Sequence, residues 1–220
     1  VVERRSVALS ELLTEQEQIQ QLKDWVKQYG LTIVLGIVLA LIITSSWRYY
    51  QGYRNKQLAR ASSVYDEMLA ARSQNNSEAA TASANNLITK YTRSPYANMA
   101  AFMLARAAVL KKNYPEAKEK LNWVIDHSSQ NSVREIASIR LARVQVAEKH
   151  YDEALTTLNN TSDEAFKGLA DEVRGDAYLA KNDVASARNA YKLALTELPN
   201  AEVTRPLLQM KFDNLALETA

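Results

Sequence analysis

The side chains in this sequence able to do acid–base or metal chemistry are two histidines, His127 and His150, and three adjacent carboxylate pairs, Asp152 with Glu153, Asp163 with Glu164, and Asp171 with Glu172. Zinc hydrolysis on a helix takes two histidines one turn apart and a glutamate between them, H-E-x-x-H, and neither histidine has that context. Both fall at or near expected inter-helix turns and read as solvent-exposed helix-end residues. Neighbours on a helix point apart, so the carboxylate pairs make no acid–base dyads. They read as solvated faces and as first-turn charges favoured by the helix dipole. The sequence holds no P-loop, no G-x-G-x-x-G and no G-x-S-x-G, and with no cysteine it has neither disulfides nor thiolate metal sites. The expectation is a protein with no catalytic residues, no cofactor, no metal and no small-molecule substrate. A formal charge of +2 also argues against nucleic acid as the main partner.

The elements that would position any binding residues are helices. The 220 residues include five Gly and four Pro among many strong helix formers, which predicts an all-α fold. From Gln28 to Trp47 there is no charge, and Leu31 to Ile43 is almost wholly aliphatic. About twenty residues at ~1.5 Å rise reach roughly 30 Å, the thickness of a bilayer's hydrocarbon core. Trp25 and Tyr29 stand at one edge, with Trp47, Tyr49, Tyr50 and Tyr53 at the other, as two headgroup interfaces favour. A signal peptide would have a shorter apolar region and a small-residue cleavage site; this run ends in Ser45-Ser46-Trp47. A soluble core helix would show a polar face, and this one has none. The expected organisation is a tail over 1–27, a transmembrane helix over 28–47, a basic membrane-proximal linker over 48–60 and a repeat domain over 61–220.

Charge alone leaves the orientation undecided. Arg4, Arg5, Lys23 and Lys27 precede the span, and Arg48, Arg54, Lys56 and Arg60 follow it. The local count favours a cytoplasmic C-terminal side, yet long domains translocate largely regardless of charge. Beyond Arg60 there are 19 basic and 20 acidic residues, so the positive excess lies beside the membrane. Attraction to anionic headgroups and ordinary snorkelling account for it equally well.

After Arg60, four segments align: Ser77-Glu-Ala-Ala80, Tyr114-Pro-Glu-Ala117, Tyr151-Asp-Glu-Ala154 and Val184-Ala-Ser-Ala187. Their last alanines are 37, 37 and 33 residues apart, close to the period of about 34 of tetratricopeptide helix–turn–helix units. Polar breaks precede the last three segments. Twelve residues before their alanines sit Ala105, Ala142 and Gly175, small enough for close helix approach. The first unit has Met68 there and reads as an atypical end unit. Tyr191, Ala194 and Pro199 fall at the consensus aromatic, alanine and terminal proline of the last unit. A final helix, about Arg205 to Glu218, is expected to cap the stack. The fold expected is one transmembrane helix followed by a tetratricopeptide-like α-solenoid of about four hairpins and a capping helix.

That register nominates partner-binding residues on the inner helices. Phe102, Arg106 and Val109 correspond to Ile139, Arg143 and Val146 one unit later, and Glu172, Asp176 and Leu179 follow on the third inner helix. A cationic stretch followed by an acidic one would orient a partner segment, and apolar residues would anchor it. Two other accounts stand beside this one. The apolar residues would pack between inner helices, and the charges would pair within the chain, as Arg143 with Asp176.

Four blocks stand out: Ile19-Gln-Gln-Leu-Lys-Asp-Trp25 through Trp47-Arg-Tyr-Tyr50, Ile139-Arg-Leu-Ala-Arg-Val-Gln-Val146, Asp171-Glu-Val-Arg-Gly-Asp-Ala177 with Lys181-Asn-Asp183 and Ala187-Arg188, and Gln209-Met-Lys-Phe-Asp-Asn-Leu215. Through them the chain from about 19 to 217 resembles the YfgM family. The resemblance implies a bacterial inner-membrane protein with a cytoplasmic N-terminus and a periplasmic repeat domain. It further implies an ancillary subunit of the Sec translocon, working with a PpiD-like chaperone on emerging secreted proteins. The alternative is a membrane-anchored regulator that sequesters a signalling protein.

Overall fold

The computed structural model describes residues 2–161, 163–198 and 205–217. Among them every element is a helix: α1 (Val2–Ser73), α2 (Ser77–Lys90), α3 (Pro95–Leu110), α4 (Tyr114–His127), α5 (Asn131–Ala147), α6 (Tyr151–Leu158), α7 (Glu164–Ala180), α8 (Val184–Glu197) and α9 (Arg205–Leu217). The chain divides into two compact units, Val1–Lys56 and Gln57–Ala220. Pro199, Glu218 and the first residue lie outside the described residues.

The first unit contains the apolar helical segment. It is the one described helix long and apolar enough to cross a bilayer, with a mean hydropathy of 2.2 over its best window, none of which is buried. Side chains 31–43 are all exposed. An aliphatic surface of that size is stable in hydrocarbon and costly in water. Thr44 is accommodated there because its hydroxyl donates to Ala40 O at 2.9 Å within its own helix.

In the second unit, residues 57–73 of α1 pack with α2, and the pairs α3–α4, α5–α6 and α7–α8 follow as hairpins. Each hairpin turns in the same way. Asn75, Lys112, Lys149 and Asn182 take φ of 58°, 57°, 66° and 63°, the left-handed conformation that ends a helix. The next residue in each turn, Asn76, Asn113, His150 or Asp183, donates its backbone N–H to a carbonyl five residues back at 2.8–3.0 Å. The left-handed residue donates to the carbonyl three back at 2.9–3.0 Å. This pair of bonds satisfies carbonyls that a helix end leaves open. The residue after the left-handed one then serves as N-cap of the following helix. Asn76, Asn113 and Asp183 accept from backbone N–H groups of that helix through their side chains, while His150 makes no such bond. Two helices are thus joined with almost no linker.

The core is a chain of local clusters rather than one centre, as expected where each hairpin touches its neighbours. The close-contact positions show why. Ala105 shares a cluster with Leu121, and Ala142 with Leu158. Gly175 lies under the Tyr191 ring, and a Cβ at Gly175 would sit 2.3 Å from Tyr191 Cε1. The first hairpin has the sizes exchanged: Met68 is fully buried in the same cluster as Ala84. Met68 therefore fills the space that a leucine or tyrosine fills from the opposite helix in the other units.

Capping of the last hairpin is also packing. Leu208 and Leu215 of α9 are buried against Ala187, Tyr191 and Ala194 of α8, while Leu207 is 52% exposed.

Candidate functional site

An open groove of about 410 Å³ lies on α3 and α5, closed at its sides by Arg72 at the end of α1 and by Tyr114 and Leu121 of α4. A groove of that size accommodates a few side chains, within the ~300–1,000 Å³ range of ligand sites. Its apolar floor comes from the hairpin register: Leu121 and Val144 are buried, Phe102 is half-buried, and Val109 is 37% exposed. Its charged groups are four arginines, Arg72, Arg106, Arg140 and Arg143, with no carboxylate among the lining residues. The Arg140 guanidinium stacks 4.4 Å above the Phe102 ring, a cation–π contact that fixes both. Burial, followed by the neighbouring charges of Arg143 and Arg106, draws Arg140 below its ordinary pKa. It stays a cation at neutral pH.

Beside the groove lies a second charged cluster that is closed on itself. Arg143 Nη2 reaches Glu172 Oε2 at 3.2 Å. Lys211 of α9 donates to Glu172 at 3.0 Å and to Asp176 at 2.8 Å. The Tyr191 hydroxyl donates to Asp176 at 2.7 Å. Burial, then the hydrogen bond and charge of Asp176, raise the Tyr191 pKa far above its ordinary value. Burial alone would lower Lys211, but Asp176 and Glu172 together carry it above its ordinary value.

The sequence-nominated residues divide between these environments. Phe102, Arg106, Val109 and Arg143 line the groove. Ile139 is 4% exposed in the third core cluster, and Val146 packs against that cluster. Asp176 is committed to Lys211 and Tyr191. Two charge readings are corrected. Arg143 pairs with Glu172 rather than Asp176, because Lys211, supplied by the capping helix, takes Asp176. Asp171 and Glu172 are not a solvated face: both are buried, Asp171 bonded by Arg174 and Glu172 by Arg143 and Lys211. Two adjacent acids can be buried here because they point apart, each toward its own cation.

Arg72 and Arg140 were missed. Arg140 lies one turn before Arg143, and that i, i+3 pair was visible in the sequence. Arg72 enters the groove from a different hairpin, and no local spacing announces it.

The histidines sit where the turns place them. His127 ends α4, its ring stacked on Trp123 at 4.6 Å, and His150 precedes α6. Among the described residues, no three His, Asp or Glu side chains converge as metal ligands.

A family model described as a tetratricopeptide repeat-like domain matches residues 23–217. The chain is 30% identical over 203 residues to a Haemophilus influenzae protein named ancillary SecYEG translocon subunit, covering 92% of this chain and 98% of that one. Proteins of the same name from Escherichia coli and Neisseria gonorrhoeae are 27% and 29% identical, each over 92% of this chain and 97% and 98% of their own length.

Proposed function

The chain belongs to the YfgM family of tetratricopeptide repeat-like proteins, whose curated members are named ancillary SecYEG translocon subunits, and on that premise we propose that it is a membrane-anchored, non-catalytic scaffold of the Sec translocon. In this reading residues 28–47 span the inner membrane, 1–27 are cytoplasmic, 48–60 form a basic membrane-proximal linker, and the repeat domain 61–220 is periplasmic. There it would meet a PpiD-like membrane chaperone and secreted proteins as they emerge. Phe102, Arg106, Val109 and Arg143 are the contact residues proposed, with Ile139, Val146 and Asp176 behind them as support.

The observation that carries this reading is the joint presence, in one chain, of an unburied apolar span and a repeat array with an open groove. The family relation supports the translocon. An exposed aliphatic helix is satisfied by lipid, and an open, partly apolar groove is satisfied by a partner. The test is photo-cross-linking in native membranes, with the reactive side chain placed at Val109. Adducts with translocon subunits or a membrane-bound chaperone are expected. The four basic residues after the span motivate a second reading, a cytoplasmic repeat domain that sequesters a signalling protein. Adducts confined to cytoplasmic proteins would favour that one.

A further inference from the structure

We propose that the α3–α5 groove binds an acidic, partly apolar segment of a partner protein, its carboxylates on Arg72, Arg106 and Arg140 and its apolar side chains against Phe102, Val109 and Val144. The proposal rests on reading this groove as the partner-binding face and adds the chemistry of the occupant.

The argument is one of charge and shape. Beyond Arg60 the chain is close to neutral, 19 basic residues against 20 acidic, yet four arginines gather on one groove. Among the described residues only Arg143 has a carboxylate. Among the described residues, none lies within ion-pair distance of Arg72, Arg106 or Arg140. Arg140 is exposed, stacked on Phe102 and crowded by Arg106 and Arg143. Cations held together without a counter-charge oppose one another, and an arriving anion relieves that repulsion. Guanidinium forks match carboxylates in two-point geometry. The surfaces between the arginines are aliphatic and aromatic, so the anion that fits carries apolar groups of its own. A peptide alternating acidic and aliphatic side chains meets both requirements. A phosphate headgroup meets the first alone.

The neighbouring cluster sharpens the assignment. Glu172 and Asp176 are held by Lys211, Arg143 and the Tyr191 hydroxyl and are not free to neutralise the groove. The structure spends two cations on those acids and leaves three arginines open.

The test uses the full chain in phosphatidylcholine nanodiscs. The probe is a short fluorescein-labelled peptide alternating glutamate with leucine, read by fluorescence anisotropy. Its partner probe has glutamine in place of glutamate. The acidic probe should bind, and more weakly as salt rises. The amide probe should bind at least about tenfold more weakly, and Arg106→Gln and Arg140→Gln should each weaken the acidic probe by about tenfold. Lys192→Gln, on an exposed face of α8, should change nothing. Arg106 is exposed and makes no ion pair among the described residues, so R106Q tests the site without disturbing the core. Equal binding of the two probes, or unchanged binding by R106Q and R140Q, overturns the proposal. So does arginine-dependent displacement of the probe by phosphatidylglycerol vesicles, which assigns the groove to lipid. Cross-links from Val109 in cells without binding of the acidic probe overturn the acidic occupant and keep the partner-binding face. Absence of both overturns the two together.

Discussion

Gly175 and Tyr191 form a pair whose fit can be measured. A methyl group at Gly175 meets the tyrosine ring at 2.3 Å, and that ring is fully buried. Gly175→Ala should therefore cost about 1–3 kcal/mol through overpacking, despite the helix propensity of alanine. Combined with it, Tyr191→Leu recreates the alanine–leucine pairing of the two preceding hairpins. The double variant should be more stable than the sum of the singles by about 1 kcal/mol, a coupling read from chemical denaturation. Additive effects would show that the two residues do not share space. The turns offer a second measurement at this scale. Lys149 occupies a left-handed position at φ 66°, and the N-cap that follows it, His150, makes no side-chain cap bond. Lys149→Gly should stabilise by roughly 0.5–1 kcal/mol, and His150→Asn by roughly 0.5–1 kcal/mol, each seen as a higher Tm. The sequence showed these turns as polar breaks, because Asn, Lys and His mark a break without stating its backbone angles. It showed the small residues but not the large residue opposite each one. That is why Met68 looked like a departure, whereas it is the same pairing with its members exchanged.

The capping helix α9 is an element held by polar as well as apolar contacts. Lys211 extends from it to Glu172 and Asp176 of α7, with its side chain about a quarter exposed. Lys211→Met should cost about 1–3 kcal/mol, less than the ~3–5 kcal/mol of breaking a fully buried pair, because water reaches the site. Hydrogen exchange on α9 should accelerate in that variant before exchange elsewhere. The same cluster fixes a pH dependence. Lys211 and Tyr191 both have folded pKa values above their unfolded values of about 10. Above that pH the unfolded chain releases protons that the folded chain retains. The stability they contribute is thus complete below about pH 10 and is lost as pH rises through the folded values. Unfolding free energy should fall from about pH 10 upward, and Tyr191→Phe should make the fall shallower. A flat profile across that range would contradict the cluster. None of this was legible in sequence, because Lys211 is 35 residues from Asp176, and only the docking of α9 brings them together. The acids beside it were misread for the same reason: Asp171 and Glu172 look like any exposed pair until their cations arrive from other helices.

The molecule as a whole reads as an anchor and an array, and that much was visible from apolar run length and repeat period alone. Those two signals are strong because each is a property of twenty or more residues. The groove is weaker in sequence because its arginines come from three helices, α1, α3 and α5. Orientation is a whole-molecule property and can be measured as one. A tag beyond Leu217 should be open to protease in spheroplasts, and a tag before Val7 should be protected. The reverse pattern would place the array in the cytoplasm. The exchanged sizes of Met68 and Ala84 have a further consequence for an array whose units share one turn and one helical period. Similar hairpins can mate with the wrong neighbour during folding, a failure to which repeat chains are prone. Here the two outer hairpins carry different keys, methionine against alanine at one end and glycine against tyrosine at the other. An α2 helix docked in the place of α8 would set Ala84 over Gly175 and leave a void where a ring belongs. An α8 helix docked on α1 would drive Tyr191 into Met68. Each end of the array thus rejects the other's helix.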